Sequence, residues 1–162
     1  MALRYQLSAF FLLFVLSAPS FSQWHSFSYE AMTTPIDLVF WEEDTQKSEA
    51  ISKEVFKEFD RIEQQMSRYI ENSELSRINR LAFKESVIVS TSLFSVLNSA
   101  MNISKLSQGA FDITFASIGY LYDFRKKLKP DNSKIQQNLD LFHYQNVILD
   151  SNTQTVRFTT KG

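Results

Sequence analysis

The sequence predicts an α+β fold in which helices pack on a largely antiparallel sheet. Two long segments repeat apolar residues at the spacing of an amphipathic helix. Three other segments alternate apolar and polar residues, as a half-buried strand does. These segments do not alternate in the regular strand–helix–strand order of a parallel sheet, which is why we predict mostly antiparallel pairing.

The N-terminal half of the chain contains a predicted strand followed by a long helix. The strand lies within residues 33–44, where Ile36, Leu38 and Phe40 are spaced by two. The helix is predicted over residues 47–69, because its apolar side chains recur at every third or fourth position: Ile51, Val55, Phe59, Ile62 and Met66.

Serine residues mark the predicted starts of two further helices. Ser73 can cap a short helix that has Glu74 in its first turn, near the positive end of the helix dipole. Residues 86–90 predict a brief buried strand, after which Ser90 or Thr91 can cap another helix. The predicted apolar stripe of that helix consists of Leu93, Val96, Leu97, Ala100 and Met101.

The last third of the chain predicts a short helix and a hairpin. Gly109 stands where the preceding helix is expected to stop. Residues 131–142 predict a short helix, and residues 146–150 and 155–159 each alternate apolar and polar side chains. Because the residues between these two strands tolerate turn conformations, we predict a β-hairpin.

Composition favours one ordinary globular domain and argues against nucleic-acid binding. The chain has 162 residues, 44% of them hydrophobic, and its 17 basic and 18 acidic residues nearly cancel. The one dense cationic cluster consists of Arg125, Lys126, Lys127 and Lys129, and a solvated loop is favoured there over an anion site. The chain contains no cysteine, so it forms no disulfide.

The N-terminus predicts a secretory signal peptide over residues 1–22. Arg4 precedes an apolar run, and Ser20 and Ser22 are the small residues that a cleavage site requires. The run is shorter than a membrane-spanning helix, so a permanent anchor is the weaker alternative. We therefore expect an exported, periplasmic protein with a polar leader at 23–30. Association with the inner membrane is expected only if the signal segment is retained.

Few residues suggest the usual catalytic chemistries. For His25 and His143 a structural or surface role is favoured over catalysis, because neither has a partner at metal-ligand spacing. The sequence has no HExxH, GxSxG, Walker or Rossmann motif. Tyr69 could stack on a flat ligand, although composition alone favours a role at the edge of the core.

The segment GAFDITFASIGYLYDFR, residues 109–125, is the most distinctive part of the sequence. It contains Gly109 and Gly119, two of only three glycines in the chain, and Asp112 supplies a carboxylate between them. A glycine lets a ligand or a second backbone approach closely. Its aromatic residues could simply belong to the core, and the residues alone make a ligand pocket the minority interpretation.

Four blocks together resemble the ApbE-like FAD:protein FMN transferases. They are AMTTPIDLVFW, FDRIEQQMSRYIENSELSRIN, VSTSLFSVLNSAMNISKLSQGAFDITFASIGYLYDFR and YQNVILD, in the order and spacing of that family. The similarity runs from about Met32 to Gly162, so we assign residues 31–162 to the N-terminal part of an ApbE-like domain. The resemblance implies an α+β fold that is incomplete at its C-terminal end.

The resemblance implies an enzyme that uses FAD as substrate and requires Mg²⁺. Such an enzyme splits FAD and attaches the FMN half to a threonine hydroxyl of an exported acceptor protein, such as a membrane redox-pump subunit or a flavin-carrying domain. The family's FAD contacts correspond here to Met32, Tyr69, Ala110, Phe111 and Asp112.

Two departures from the family pattern affect these expectations. Thr33 stands where the family usually has glycine, which adds a branched side chain near the first contact. The family's Asp-Leu-Gly-Gly segment and its metal-associated Asp and Thr have no counterpart up to Gly162. We therefore expect the catalytic and metal-binding residues beyond Gly162 and none of the metal ligands within this chain. The alternative is a truncated, catalytically inactive FAD-binding fragment.

Overall fold

The computed structural model describes residues 23–123 and 126–161. The predicted signal peptide and Arg125 of the cationic cluster lie outside the described residues. Within them, helices mix with strands that pair only in antiparallel fashion, which confirms the α+β class. The strands form two separate sheets, of two and three strands, rather than one. The chain divides into two compact units, of which the first ends at Arg61 and the second begins at Ile62.

The first unit contains a β-hairpin and most of a long helix. Strand β1 (Gln23–Ala31) pairs with β2 (Thr34–Glu42), and helix α1 (Thr45–Met66) follows. The sequence prediction of a plain polar leader at 23–30 missed β1. His25, Phe27 and Tyr29 alternate with polar residues there, and β2 supplies the hydrogen-bonding partner that makes this segment a strand.

Aromatic stacking and small polar residues hold the first unit together. The ring of Tyr29 stacks on Phe56 with centroids 4.6 Å apart, and its hydroxyl donates to Asp60 at 2.7 Å. The fully buried residues of α1 are Ser48 and Ser52, whereas the predicted apolar stripe is only half-buried. His25 is also buried and lies 3.1 Å from the Ser48 hydroxyl, which supports the structural role predicted for it.

The β1–β2 turn explains why the residue at position 33 matters. Ala31 pairs with Thr34, so the loop consists of Met32 and Thr33, and both have positive φ, at 53° and 59°. A two-residue type I′ turn requires this left-handed conformation at both positions. Glycine adopts it without strain, whereas a residue with a Cβ atom does not.

We therefore expect Thr33→Gly to raise the free energy of unfolding by about 1 kcal/mol, which corresponds to a melting temperature about 3 °C higher. Thermal unfolding followed by circular dichroism measures this shift. Thr34→Gly is the matched control, because Thr34 lies in a strand, where glycine destabilises. A Thr33→Gly variant that melts at or below the wild-type temperature would contradict the strained-turn interpretation.

Among the described residues, the second unit contains the end of α1, four further α-helices and a three-stranded sheet. Its helices and strands are α2 (Glu74–Leu81), β3 (Val87–Ile88), α3 (Thr91–Leu106), α4 (Ala116–Gly119), α5 (Asn132–Asn138), β4 (Val147–Asp150) and β5 (Thr155–Phe158). Short 3₁₀ turns occupy Leu139–Leu141 and Tyr144–Asn146. The sheet has the order β3–β5–β4, so the predicted C-terminal hairpin is confirmed.

Both predicted serine caps are confirmed. Ser73 caps α2 by accepting a hydrogen bond from the Ser76 N–H at 3.0 Å, and Ser90 caps α3 by accepting one from Leu93 at 3.3 Å. Helix α1 ends at Met66, so Tyr69 lies in the following turn and not in the helix.

The core of the second unit consists of buried apolar side chains of α2, α3 and the three-stranded sheet, and of the residues directly after α2 and β3. They are Ile78, Ala82, Val87, Val89, Leu93, Met101, Val147 and Val156. The predicted stripe of α3 was wrong at Val96, which is 51% exposed, while Phe94 packs against the core. Across the residues that the structure describes, no helix combines the length and apolar character needed to cross a membrane.

Candidate functional site

The segment from 107 to 115 leaves α3 through a left-handed turn. Gln108 and Gly109 have φ of 52° and 85°, and the Gly109 N–H donates to the Ser104 carbonyl at 2.9 Å. This geometry satisfies a carbonyl in the last turn of α3, as helix-terminal glycines commonly do. The prediction that Gly109 marks the end of the helix is therefore confirmed, within three residues of Leu106.

Asp112 joins this segment to a distant turn of the same unit. Its Oδ1 accepts hydrogen bonds from the Thr114 N–H at 2.8 Å and from the Thr114 hydroxyl at 2.6 Å. Its Oδ2 accepts the Tyr144 N–H at 2.7 Å. A Cβ atom added at Gly109 would lie 3.8 Å from the Tyr144 ring, so the two segments also pack against each other. We call residues 109–114 the Asp112 loop.

The aromatic residues around the Asp112 loop are substantially exposed. Phe111 is 46% exposed, Phe115 49% and Tyr120 62%, so the interpretation of these three rings as plain core is wrong. Gly119 lets the ring of Phe115 pack closely against the backbone, since a Cβ atom there would lie 2.7 Å from that ring. Exposed aromatic faces beside a structured backbone loop can contact a planar ligand.

A cavity of about 320 Å³ lies next to these residues within the second unit. Thr114, Ser117 and Tyr120 line one side, and α2 and β5 contribute apolar side chains to the others. The lining of this cavity is mainly apolar with a few polar groups, as is usual for small-molecule sites, and its volume lies at the small end of their range.

Tyr69 lies in the turn after α1 and is 82% exposed. The guanidinium of Arg68 lies 4.7 Å from the centroid of its ring and donates to its hydroxyl at 2.6 Å. Arg68 therefore holds the ring of Tyr69 in place while the ring stays accessible to solvent. Tyr69 does not cover the edge of the core, although composition alone suggested that it does.

The predicted FAD contacts divide between the two units. Met32 belongs to the first unit and is 43% exposed, while the other four belong to the second. Ala110, Phe111 and Asp112 are consecutive in the Asp112 loop. Sequence reasoning missed Tyr144, whose N–H binds Asp112 from 32 positions away. The Asp-x-Thr spacing at 112–114 could have indicated the local turn, but nothing local indicates its distant partner.

Glu74, in the family-like block at 73–79, connects three helix ends of the second unit. Its carboxylate accepts the Ser90 N–H at 2.8 Å and the Gln65 amide at 3.1 Å, and Gln65 also donates to the Ser90 hydroxyl. Partial burial opposes ionisation of Glu74, but these hydrogen bonds outweigh it and hold the pKa of the carboxyl below its ordinary value.

A lowered pKa in the folded state means that ionised Glu74 stabilises the fold above its unfolded pKa, and that this contribution disappears as the pH falls through the folded value. We expect Glu74→Gln to lower the free energy of unfolding by about 1 kcal/mol at pH 7. The difference should shrink progressively below the ordinary value of 4.5. Urea unfolding across this pH range measures it. Glu71→Gln, at an exposed neighbouring glutamate, is the control. An equal effect of Glu74→Gln at every pH would contradict a role for the charge.

A magnesium site does not fit the described residues. Between 23 and 123 and between 126 and 161, no group of three or more His, Cys, Asp or Glu side chains is placed to hold a metal ion. We therefore assign no metal ligand to them and derive no chemical step through a metal.

The fold and the Asp112 loop define the chain as an α+β protein with an exposed, structured loop. Comparisons with known proteins identify its family. The sequence model of the ApbE family matches residues 32–162. An FAD:protein FMN transferase of Vibrio cholerae serotype O1 (strain ATCC 39541 / Classical Ogawa 395 / O395) is 32% identical over 84 residues, covering 52% of this chain and 25% of the relative. An FAD:protein FMN transferase of Klebsiella pneumoniae (strain 342) is 29% identical over 140 residues, covering 85% of this chain and 43% of the relative.

Solved structures agree with the sequence comparison at the level of the fold. The flavin transferase ApbE from Vibrio cholerae superposes with a TM-score of 0.76 at 22% identity, covering 86% of this chain and 46% of that one. The ApbE protein of Thermotoga maritima superposes with a TM-score of 0.72 at 23% identity, covering 84% of this chain and 45% of that one. The chain belongs to the ApbE family, and it spans less than half the length of these relatives.

Proposed function

We propose that this protein acts as an FAD:protein FMN transferase, or as the N-terminal part of one. The observation that carries the proposal is the family match, which extends over residues 32–162 and includes the Asp112 loop. The exposed rings of Tyr69 and Phe111 support it, because planar aromatic surfaces suit a substrate with flavin and adenine rings.

The proposed reaction is a phosphoryl transfer from FAD to a protein. The hydroxyl oxygen of an acceptor threonine forms a bond to the phosphorus of the FMN half, and the pyrophosphate bond to the AMP half breaks. AMP leaves with the electron pair of that bond, and the threonine proton passes to a base. Catalysis of such transfers rests mainly on positioning and on stabilising the phosphate charge.

The residues proposed to contact FAD are Met32, Tyr69, Ala110, Phe111 and Asp112. All five are at least partly accessible, which a contact with a substrate requires. Met32 and Thr33 form a tight turn whose left-handed backbone suits the glycine common in the family at position 33. The proposed first contact is therefore a turn held in the geometry that glycine prefers.

We propose that the reaction requires Mg²⁺, held by residues other than those that the structure describes, since bound metal commonly neutralises the charge on a transferring phosphate. The predicted signal peptide supports export to the periplasm, where the acceptor would be a membrane redox-pump subunit or a flavin-carrying domain.

Titrating the protein with FAD, followed by flavin fluorescence, with and without Mg²⁺ tests the proposal. A transferase is expected to bind FAD and, with Mg²⁺ and an acceptor, to produce protein-bound fluorescence that survives denaturing electrophoresis. Binding without transfer would favour an inactive FAD-binding fragment, and absence of binding in both conditions would contradict the proposal.

A further inference from the structure

Asp112 has the hydrogen-bonding pattern of a clamp inside the protein. Its carboxylate accepts three hydrogen bonds: the N–H and hydroxyl of Thr114 donate to one oxygen, and the N–H of Tyr144 donates to the other. All three distances lie between 2.6 and 2.8 Å, as expected for donors that face a charged acceptor. Both carboxylate oxygens are therefore occupied by donors of the chain itself.

The backbone of the Asp112 loop is held at its other end as well. The Ala110 N–H donates to the Ser107 carbonyl at 3.1 Å, and the Phe111 N–H donates to the Ser107 hydroxyl at 3.0 Å. Asp112 fixes the opposite end of the same loop against the turn that begins at Tyr144. Hydrogen bonds therefore hold both ends of the loop, while the ring of Phe111, which lies between them, stays exposed.

We propose that Asp112 is a positioning residue, whose carboxylate ties the Asp112 loop to the Tyr144 turn and so presents Ala110 and Phe111 to the flavin nucleotide. This inference rests on the proposed function for its ligand. It is separate from the contact with FAD proposed for Asp112, which the backbone of the residue can make, because the carboxylate acts through the loop that it holds. Fixing a loop in its bound conformation before the ligand arrives reduces the entropy lost on binding.

The substitution Asp112→Asn tests the clamp with almost no change in volume. Asparagine replaces one acceptor oxygen with an amide group that donates. In either orientation of the amide, the N–H of Tyr144 or that of Thr114 loses its acceptor. Asp131→Asn is the matched control, since Asp131 belongs to the same unit and makes no side-chain cap hydrogen bond.

Two measurements on the full chain decide the outcome: FAD affinity, and amide hydrogen exchange at Tyr144 and Thr114 without ligand. We expect Asp112→Asn to weaken FAD binding about tenfold and to speed exchange at one of these amides about tenfold, while Asp131→Asn changes neither. Thr114→Val, which removes only the hydroxyl donor, should show the same two changes at smaller size, and it serves if Asp112→Asn does not fold.

If Asp112→Asn weakens FAD binding but leaves amide exchange at Tyr144 and Thr114 unchanged, the proposal is wrong, and a direct contact between the carboxylate and FAD is favoured. Unchanged FAD binding by Asp112→Asn would overturn the positioning role. If the wild-type protein does not bind FAD, the proposed function fails, and with it the nucleotide-positioning role, whereas the exchange data still decide whether the carboxylate joins the two segments.

Discussion

Replacing Leu93 with alanine is expected to lower the free energy of unfolding by about 3 kcal/mol. Leu93 is 2% exposed and lies in the first turn of α3, where it belongs to the core that α2, α3 and the three-stranded sheet share. Truncation removes buried apolar surface and leaves a cavity that the surrounding strands fill only partly. Urea unfolding monitored by far-ultraviolet circular dichroism measures the loss.

The same helix offers a matched control in Val96, which is 51% exposed. Val96→Ala removes apolar atoms from solvent-facing surface, and the better helix propensity of alanine offsets much of that loss, so the change should stay within about 0.5 kcal/mol. Equal effects of the two substitutions would show that the core of the second unit is not where the structure places it.

Replacing Tyr69 with alanine is expected to weaken FAD binding roughly thirtyfold with little change in stability. An aromatic ring stacked on a nucleotide base contributes about 1–3 kcal/mol, so its loss has a large effect on affinity. Tyr69 is 82% exposed, and its removal leaves no cavity in the core. Isothermal titration with FAD and a parallel thermal melt separate the two effects.

Tyr69→Phe is the control, because it keeps the ring and removes only the hydroxyl that Arg68 contacts. Its FAD affinity should remain within about threefold of wild type. If Tyr69→Ala bound FAD as tightly as wild type, Tyr69 would not be a flavin contact. If it instead lost stability, the alternative role at the edge of the core would be supported.

Local features of the sequence were sufficient to predict much of the fold. Ser73 and Ser90 cap the helices they were predicted to cap. A capping serine accepts a hydrogen bond from an N–H only three residues later, so the local sequence is enough to predict it. The C-terminal hairpin and β2 were also predicted, because alternating patterns directly report which face of a strand is buried.

Features that depend on distant contacts could not be predicted in this way. Strand β1 was missed although His25, Phe27 and Tyr29 alternate with polar residues, because its pairing with β2 is not visible in the segment itself. Val96 was placed in the buried stripe because periodicity does not reveal how wide the contacted face is. The link from Asp112 to Tyr144 joins residues 32 positions apart, so only the folded chain brings them together.

The candidate site shows the same division. The residues proposed to contact FAD were identified through the resemblance to a family, and the residues alone had favoured a core role for Tyr69 and for the aromatics near Asp112. The structure adds their exposure and the anchoring of the Asp112 loop. These are properties of packing, which composition does not determine.

The most direct test of the central proposal is mass spectrometry of an acceptor protein after incubation with this protein, FAD and Mg²⁺. We expect a mass increase equal to FMN less water, located on a threonine, together with release of AMP. An acceptor of unchanged mass, under conditions in which a complete FAD:protein FMN transferase of the same family modifies it, would contradict transferase activity for this protein.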